Sequence, residues 1–195
     1  MNLPNKLTIS RILLTIAFVI FLFWKGFTPK VLALFMFLLA SLTDFLDGFI
    51  AKRSNQVTDF GKLMDPVADK VLVLSAFISF VELKLISGWM VAIIIIREVL
   101  VTTLRLFALT KGKVISADGG GKHKTISQIG TIFFILLYNI FSAGGESRFG
   151  FWSVSFSDGY RYLITILMTV TVLLTVLSGV SYMIKNRGVY INEKT

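Results

Sequence analysis

Five of the eleven acidic residues in this chain fall within one stretch, Asp44 to Lys70, which reads DFLDGFIAKRSNQVTDFGKLMDPVADK. Four of the five form two helix-compatible pairs, Asp44/Asp47 at i,i+3 and Asp65/Asp69 at i,i+4, so each pair shares one face of its helix. Two such pairs facing each other would make a cluster of four carboxylates. Without counter-charge these would repel and raise one another's pKa, so the pattern makes sense chiefly around hard divalent cations. Gly48 follows Asp47 directly and Gly61 precedes Asp65 by four, which removes side chains where backbone or ligand must come close. The alternative is a solvated loop between two membrane helices, tied to Lys52, Arg53, Lys62 and Lys70, and it leaves that spacing without a reason.

The elements that must hold these residues follow from composition. The chain has 195 residues, 55% of them apolar and 16% charged, with a mean hydropathy of +0.79. That is more apolar surface than a soluble core of this size could hide, and it predicts an all-α integral membrane protein. There is no cysteine and a single histidine, so any metal must be held by oxygen. The net charge of +9 could suggest nucleic acid, but the basic residues are scattered over short loops with no nucleic-acid module around them. Anionic lipid headgroups and phosphorylated substrates are the expected partners.

Six apolar segments are long enough, or nearly so, to cross a hydrocarbon core: 9–24, 31–47, 71–85, 89–109, 126–141 and 160–184. The first follows a short basic lead (Lys6, Arg11) with no small-residue cleavage site after it, and is expected to be a retained helix rather than a signal peptide. The second and third are short, and they flank the aspartate stretch. Their helices are therefore expected to run past the hydrocarbon and carry the carboxylates near the water interface, which avoids placing charge at the bilayer centre. Thirteen basic residues in alternate loops and ends against five in the others put both termini and the aspartate stretch in the cytoplasm. Turns are expected at 26–29, 88, 112, 119–121 and 144–159. No repeat or second domain is visible, so residues 1–195 are expected to form one membrane domain with a polar cavity open to the cytoplasm.

Between Asp44 and Asp69 the sequence reads D-x-x-D-G-x-x-A-K-x(8)-G-x-x-x-D-x-x-x-D. This resembles the signature of the CDP-alcohol phosphatidyltransferase family at every fixed position but one: Lys52 stands where the family has arginine, with Arg53 beside it. Lysine keeps the charge but lacks arginine's bidentate fork to phosphate. The opening N-L-P-N-K-L-T-I-S-R, the D-P-V-A-D-K run, the Arg97–Glu98 pair and the G-K-H-K-T run from Gly121 resemble stretches of the bacterial phosphatidylglycerophosphate synthases within that family.

The resemblance implies that an alcohol attacks the β-phosphorus of CDP-diacylglycerol and releases CMP. It implies two Mg2+ or Mn2+ ions held by Asp44, Asp47, Asp65 and Asp69, with Asp69 also the general base. CDP would lie against Asn5, Thr8, Asp44, Gly48, Ala51, Lys52, Arg53 and Gly61. Gly48 and Ala51 lie on the helical face of Asp44 and Asp47 and make it shallow, although small residues also favour close helix packing in membranes. Relatives in the family are homodimers, which implies a homodimer here. A phosphorylated acceptor needs a second cationic cluster. Arg97 and Arg105, two turns apart, with Lys122 and Lys124 in the following loop, are the candidates. An ionised Arg97 inside an apolar run is by default functional, with Glu98 as its counter-charge or a packing partner. His123 is expected to be an exposed loop residue, and Trp24, Trp89 and Trp152 to sit near the membrane interfaces.

The expected acceptor is sn-glycerol 3-phosphate, giving phosphatidylglycerophosphate in a bacterial cytoplasmic membrane. Rival acceptors are inositol phosphate, serine and phosphatidylglycerol. A rival of another class is a cation transporter, whose carboxylates would sit near mid-membrane.

Overall fold

Each of the six apolar runs becomes one helix, and each helix extends beyond its apolar part. The computed structural model describes the backbone of residues 3–54, 59–110 and 120–187, and side chains for residues 9–43, 70–108 and 122–187. Among the described residues there are six helices and no strand: α1 (Leu3–Phe23), α2 (Phe27–Ser54), α3 (Asp59–Glu82), α4 (Gly88–Thr110), α5 (Gly120–Arg148) and α6 (Val154–Lys185). As expected, α2 and α3 continue through the aspartate pairs. Asp59, Asp65 and Asp69 lie on α3, and Asp44 and Asp47 on α2.

Two expected turns prove shorter. Gly120 and Gly121 open α5, so Lys122, His123 and Lys124 stand on a helix rather than in a loop. The expected connection over 144–159 shrinks to residues 149–153, because α5 runs on to Arg148 past a break at Gly145 (φ 60°, ψ −170°). On the far side α6 starts early, its first turn capped by Ser153, whose Oγ accepts from the Phe156 backbone N–H. Glycine is needed at 145 for that backbone, and at 144 because a Cβ would come within 2.5 Å of the Phe149 ring. Positions 112 and 119, where turns were also expected, lie outside the described residues.

The helices pack α1 on α2 and α3, α5 on α2 and α6, and α4 on α3 and α6. Phe18, Leu22, Phe37, Phe77, Phe80, Ile94, Ile132 and Ile135 fill the centre. Outside, Leu13, Ile16 and Ile20 on α1 and Ile166, Leu173 and Leu177 on α6 are exposed, an apolar exterior suited to lipid rather than water. Among the described residues two helices, 122–148 and 154–185, are long and apolar enough to cross a membrane, and the stretches 9–23 and 27–43 are shorter apolar helices.

Trp24 and Trp89 are exposed, whereas Trp152 is buried. It joins Tyr138, Phe141, Phe156 and Tyr160, with ring centroids 5.3–5.9 Å apart around it. The break at Gly145 and the short link fold the chain back on itself, which turns the indole inward. The two tyrosine hydroxyls stay paired, Tyr138 with Ser157 at 3.2 Å and Tyr160 to the Phe134 carbonyl at 3.1 Å.

Candidate active site

The buried face of α2 runs Ala33, Phe37, Ala40, in steps of four and three. The next steps of that rhythm are Asp44 and Asp47. On α3 the buried residues Ala76 and Leu72, counted back in the same way, lead to Asp69 and Asp65. On α1 they run Leu22, Phe18, Thr15, Arg11, with Thr8 the next step and Asn5 three residues beyond it. In sequence the next steps of all three stripes are polar, toward the N-terminal ends of α1 and α3 and the C-terminal end of α2. The side chains of Asn5, Thr8, Asp44, Asp47, Gly48, Ala51, Lys52, Arg53, Gly61, Asp65 and Asp69 lie outside the described residues.

Where the described part of those stripes stops, a cavity of about 220 Å3 is lined by Arg11, Ser41, Lys70, Glu98, Lys124 and Gln128, among others. Lys70 directly follows Asp69, a rise of about 1.5 Å along α3, and Asp44 is one turn beyond Ser41. The cavity thus borders the aspartate-bearing turns of both helices.

Its chemistry centres on Glu98, which is 5% exposed. One carboxylate oxygen accepts from Lys124 and, at 3.3 Å, from Arg97; the other faces Lys70 at 3.2 Å. Among the described residues three cations share this one carboxylate, an excess of two positive charges. Burying such an excess is costly unless an anion joins it, and a phosphate is the natural guest. The Gln128 side chain adds a donor, because its Nε2 is buried and has no hydrogen-bond partner among the described residues.

The four residues expected to bind the acceptor's phosphate are not all brought together. Lys124 lines the cavity. Arg97 touches Glu98 but lies outside the cavity lining. Its Nη2 donates to Ser178 Oγ on α6 at 2.9 Å, and its Cγ would be 2.9 Å from a Cβ at Gly179. Arg105, further along α4, is exposed, as are Lys122 and His123. Four cavity residues were not among the candidates. Arg11 and Lys70 were read as topology charges, Glu98 as a partner for Arg97 alone, and Gln128 not at all. The available signals were the inward stripe of α1, the adjacency of Lys70 to Asp69, and a lone amide in an apolar helix.

The donor set decides which metal the site would suit. Among the described residues no group of three or more His, Asp or Glu is assembled to hold an ion. The carboxylates of α2 and α3, in a chain with one imidazole and no thiol, suit Mg2+ or Mn2+ and fit poorly with softer ions.

The CDP-alcohol phosphatidyltransferase pattern matches residues 1–177. The chain is 38% identical over 197 aligned positions, 95% of each chain, to a Bacillus subtilis protein named CDP-diacylglycerol--glycerol-3-phosphate 3-phosphatidyltransferase. It is 34% identical over 184 positions to a Mycobacterium tuberculosis protein named probable phosphatidylglycerophosphate synthase, covering 93% of this chain and 79% of the relative. A Rickettsia typhi protein with the same name as the Bacillus one is 35% identical over 136 positions, covering 70% and 76%. With a match that runs from the first residue to the last turns of α6, and relatives 34–38% identical over most of the chain, the chain belongs to the CDP-alcohol phosphatidyltransferase family.

Proposed function

We propose that this chain is a membrane enzyme that transfers the phosphatidyl group of CDP-diacylglycerol to sn-glycerol 3-phosphate, forming phosphatidylglycerophosphate and CMP. The observation that carries the reading is the cavity in which three cations share the buried Glu98, bordering the aspartate turns. A phosphorylated acceptor fits it and serine does not. Relatives named for this reaction, with most of the chain aligned to them, support the same acceptor.

In this mechanism Asp44, Asp47, Asp65 and Asp69 hold two divalent ions, Mg2+ or Mn2+, in keeping with a family that is generally dependent on divalent metal. When bound, the ions neutralise the pyrophosphate and stabilise charge on the leaving oxygen. Asn5, Thr8, Gly48, Ala51, Gly61 and the cations Lys52 and Arg53 receive the CDP. Lys70, Lys124, Arg11 and Gln128 hold the acceptor's phosphate, which places its terminal hydroxyl toward Asp69. Asp69 takes the hydroxyl proton, the oxygen bonds to the β-phosphorus, and the bond from that phosphorus to the bridging oxygen breaks. CMP leaves with the bridging oxygen. The role sketched for Arg97 changes from phosphate ligand to support.

The chain is read as one domain over residues 1–195 with six membrane spans, both termini in the cytoplasm of a bacterium and the site open to that side. The lysines and arginines favour this orientation. A homodimer is the expected assembly, by family likeness.

The test is CMP release by the purified protein with CDP-diacylglycerol and magnesium, comparing glycerol 3-phosphate, inositol phosphate, serine and no acceptor. Release that requires both glycerol 3-phosphate and the metal is expected. Release with another acceptor would rename the enzyme, and none with any acceptor, in folded protein, would return the carboxylates to a transport role.

A further inference from the structure

We propose that Glu98 is a positioning residue for the acceptor's phosphate, holding Lys70 of α3 and Lys124 of α5 at the cavity wall so that both ammonium groups meet the phosphate from fixed points. This rests on the phosphate assignment above. Two of the three cations on Glu98 line the cavity, and the third does not. That third partner, Arg97, is turned to α6, where Ser178 accepts from it and Gly179 leaves room for its stem. A line of contacts therefore runs from α6 through Arg97 to Glu98, and from Glu98 to the two lysines. The acid itself need not touch substrate.

An acid at a phosphate site has two opposing effects. Its negative charge lowers the potential of the cavity and on that ground weakens phosphate binding. Its charge-assisted hydrogen bonds restrain two long, flexible side chains, and on that ground strengthen it. The second effect dominates here, because one of the two lysines has somewhere else to go. The Lys70 side chain is 30% exposed, against 9% for Lys124 and 6% for Glu98. An ammonium released from a buried carboxylate recovers hydration by swinging toward that opening, and so leaves the cavity.

The two effects predict opposite signs for Glu98→Gln, which keeps the shape and removes the charge. The full-length protein in detergent, assayed by CMP release, should show KM for glycerol 3-phosphate rising roughly tenfold or more, with KM for CDP-diacylglycerol within about twofold of wild type. Inorganic phosphate, added as a competitor of glycerol 3-phosphate, should lose affinity in parallel. Glu98→Asp keeps the charge but is one methylene short of reaching both lysines, and should fall between wild type and Gln. A KM for glycerol 3-phosphate that falls or stays put in Glu98→Gln overturns the proposal. So does a joint change of kcat and both KM values, which is the mark of helix packing alone. If Glu98→Gln does not fold, Glu98→Asp decides: a raised KM for glycerol 3-phosphate supports positioning and an unchanged one ends it. Wild-type protein that releases no CMP with glycerol 3-phosphate removes the acceptor assignment and this proposal together, whereas wild-type turnover with unmoved KM values in the variants removes only the role of Glu98.

Discussion

The two ends of the α5–α6 pair are held by different physics. Near the start of α5, Lys124 meets Glu98, which also takes Lys70 and Arg97, and Arg97 reaches Ser178 close to the end of α6. About 25 Å further along α5, Phe141 stacks with Phe149, Phe151, Trp152 and Tyr160 where α6 begins. The aromatic end spreads its stabilisation over many ring contacts, each worth about 0.5–1.5 kcal/mol beyond its buried area. The charged end concentrates it in one acid that serves three cations. A substitution among the rings should therefore register as stability, and one among the charges as substrate binding.

The largest effect that would test this division lies at the aspartate turns. Asp69→Asn should lower CMP release by roughly 10²–10⁴-fold while circular dichroism and thermal unfolding stay unchanged, as the loss of a general base requires. Near-normal turnover would remove Asp69 from the mechanism. Trp152→Ala comes next, at the aromatic end. It should cost about 3–5 kcal/mol of stability, seen as a lower unfolding temperature, and leave both KM values alone. If KM for glycerol 3-phosphate moved with it, the two ends would not be separable. Lys124→Met should raise that KM by roughly ten- to a hundredfold, equivalent to about 1.5–3 kcal/mol for a charged hydrogen bond, with little change for CDP-diacylglycerol. The smallest effect is expected for Gly179→Ala, whose new methyl group would push on the Arg97 stem. It should lower stability by about 1 kcal/mol and raise the same KM a few-fold. An unchanged KM there would mean that Arg97 supports the fold without steadying Glu98.

The six helices and their order were legible because long apolar runs separated by polar and glycine-rich breaks mark helices directly. The ends of α5 and the start of α6 were not, since the first turns of α5 and the glycines and serines that close it and open α6 read as turn signals. The aspartate pairs stood out by spacing alone. The cationic cavity did not, because a lysine such as Lys70 looks the same in sequence whether it marks the cytoplasmic side or lines a pocket. Only packing brings Lys70, Glu98 and Lys124 from three helices onto one cavity. Arg97 shows the reverse: its position in an apolar run marked it as special, but the partner that explains it, Ser178, lies 81 residues away. The buried Trp152 was hidden for a similar reason, since the fold-back at Gly145 leaves no trace in periodicity.

The hub around Glu98 also bears on how the chain is made. Synthesis runs from the N-terminus, so Lys70 and Arg97 both exist before Glu98 leaves the ribosome, while Lys124 and Ser178 follow later. The acid therefore never emerges before a cation has been made on α3 and on its own helix. Each later partner arrives with the helix that needs docking, α5 with Lys124 and α6 with Ser178. The order of the charges along the chain is thus also the order in which the partners of Glu98 become available to it.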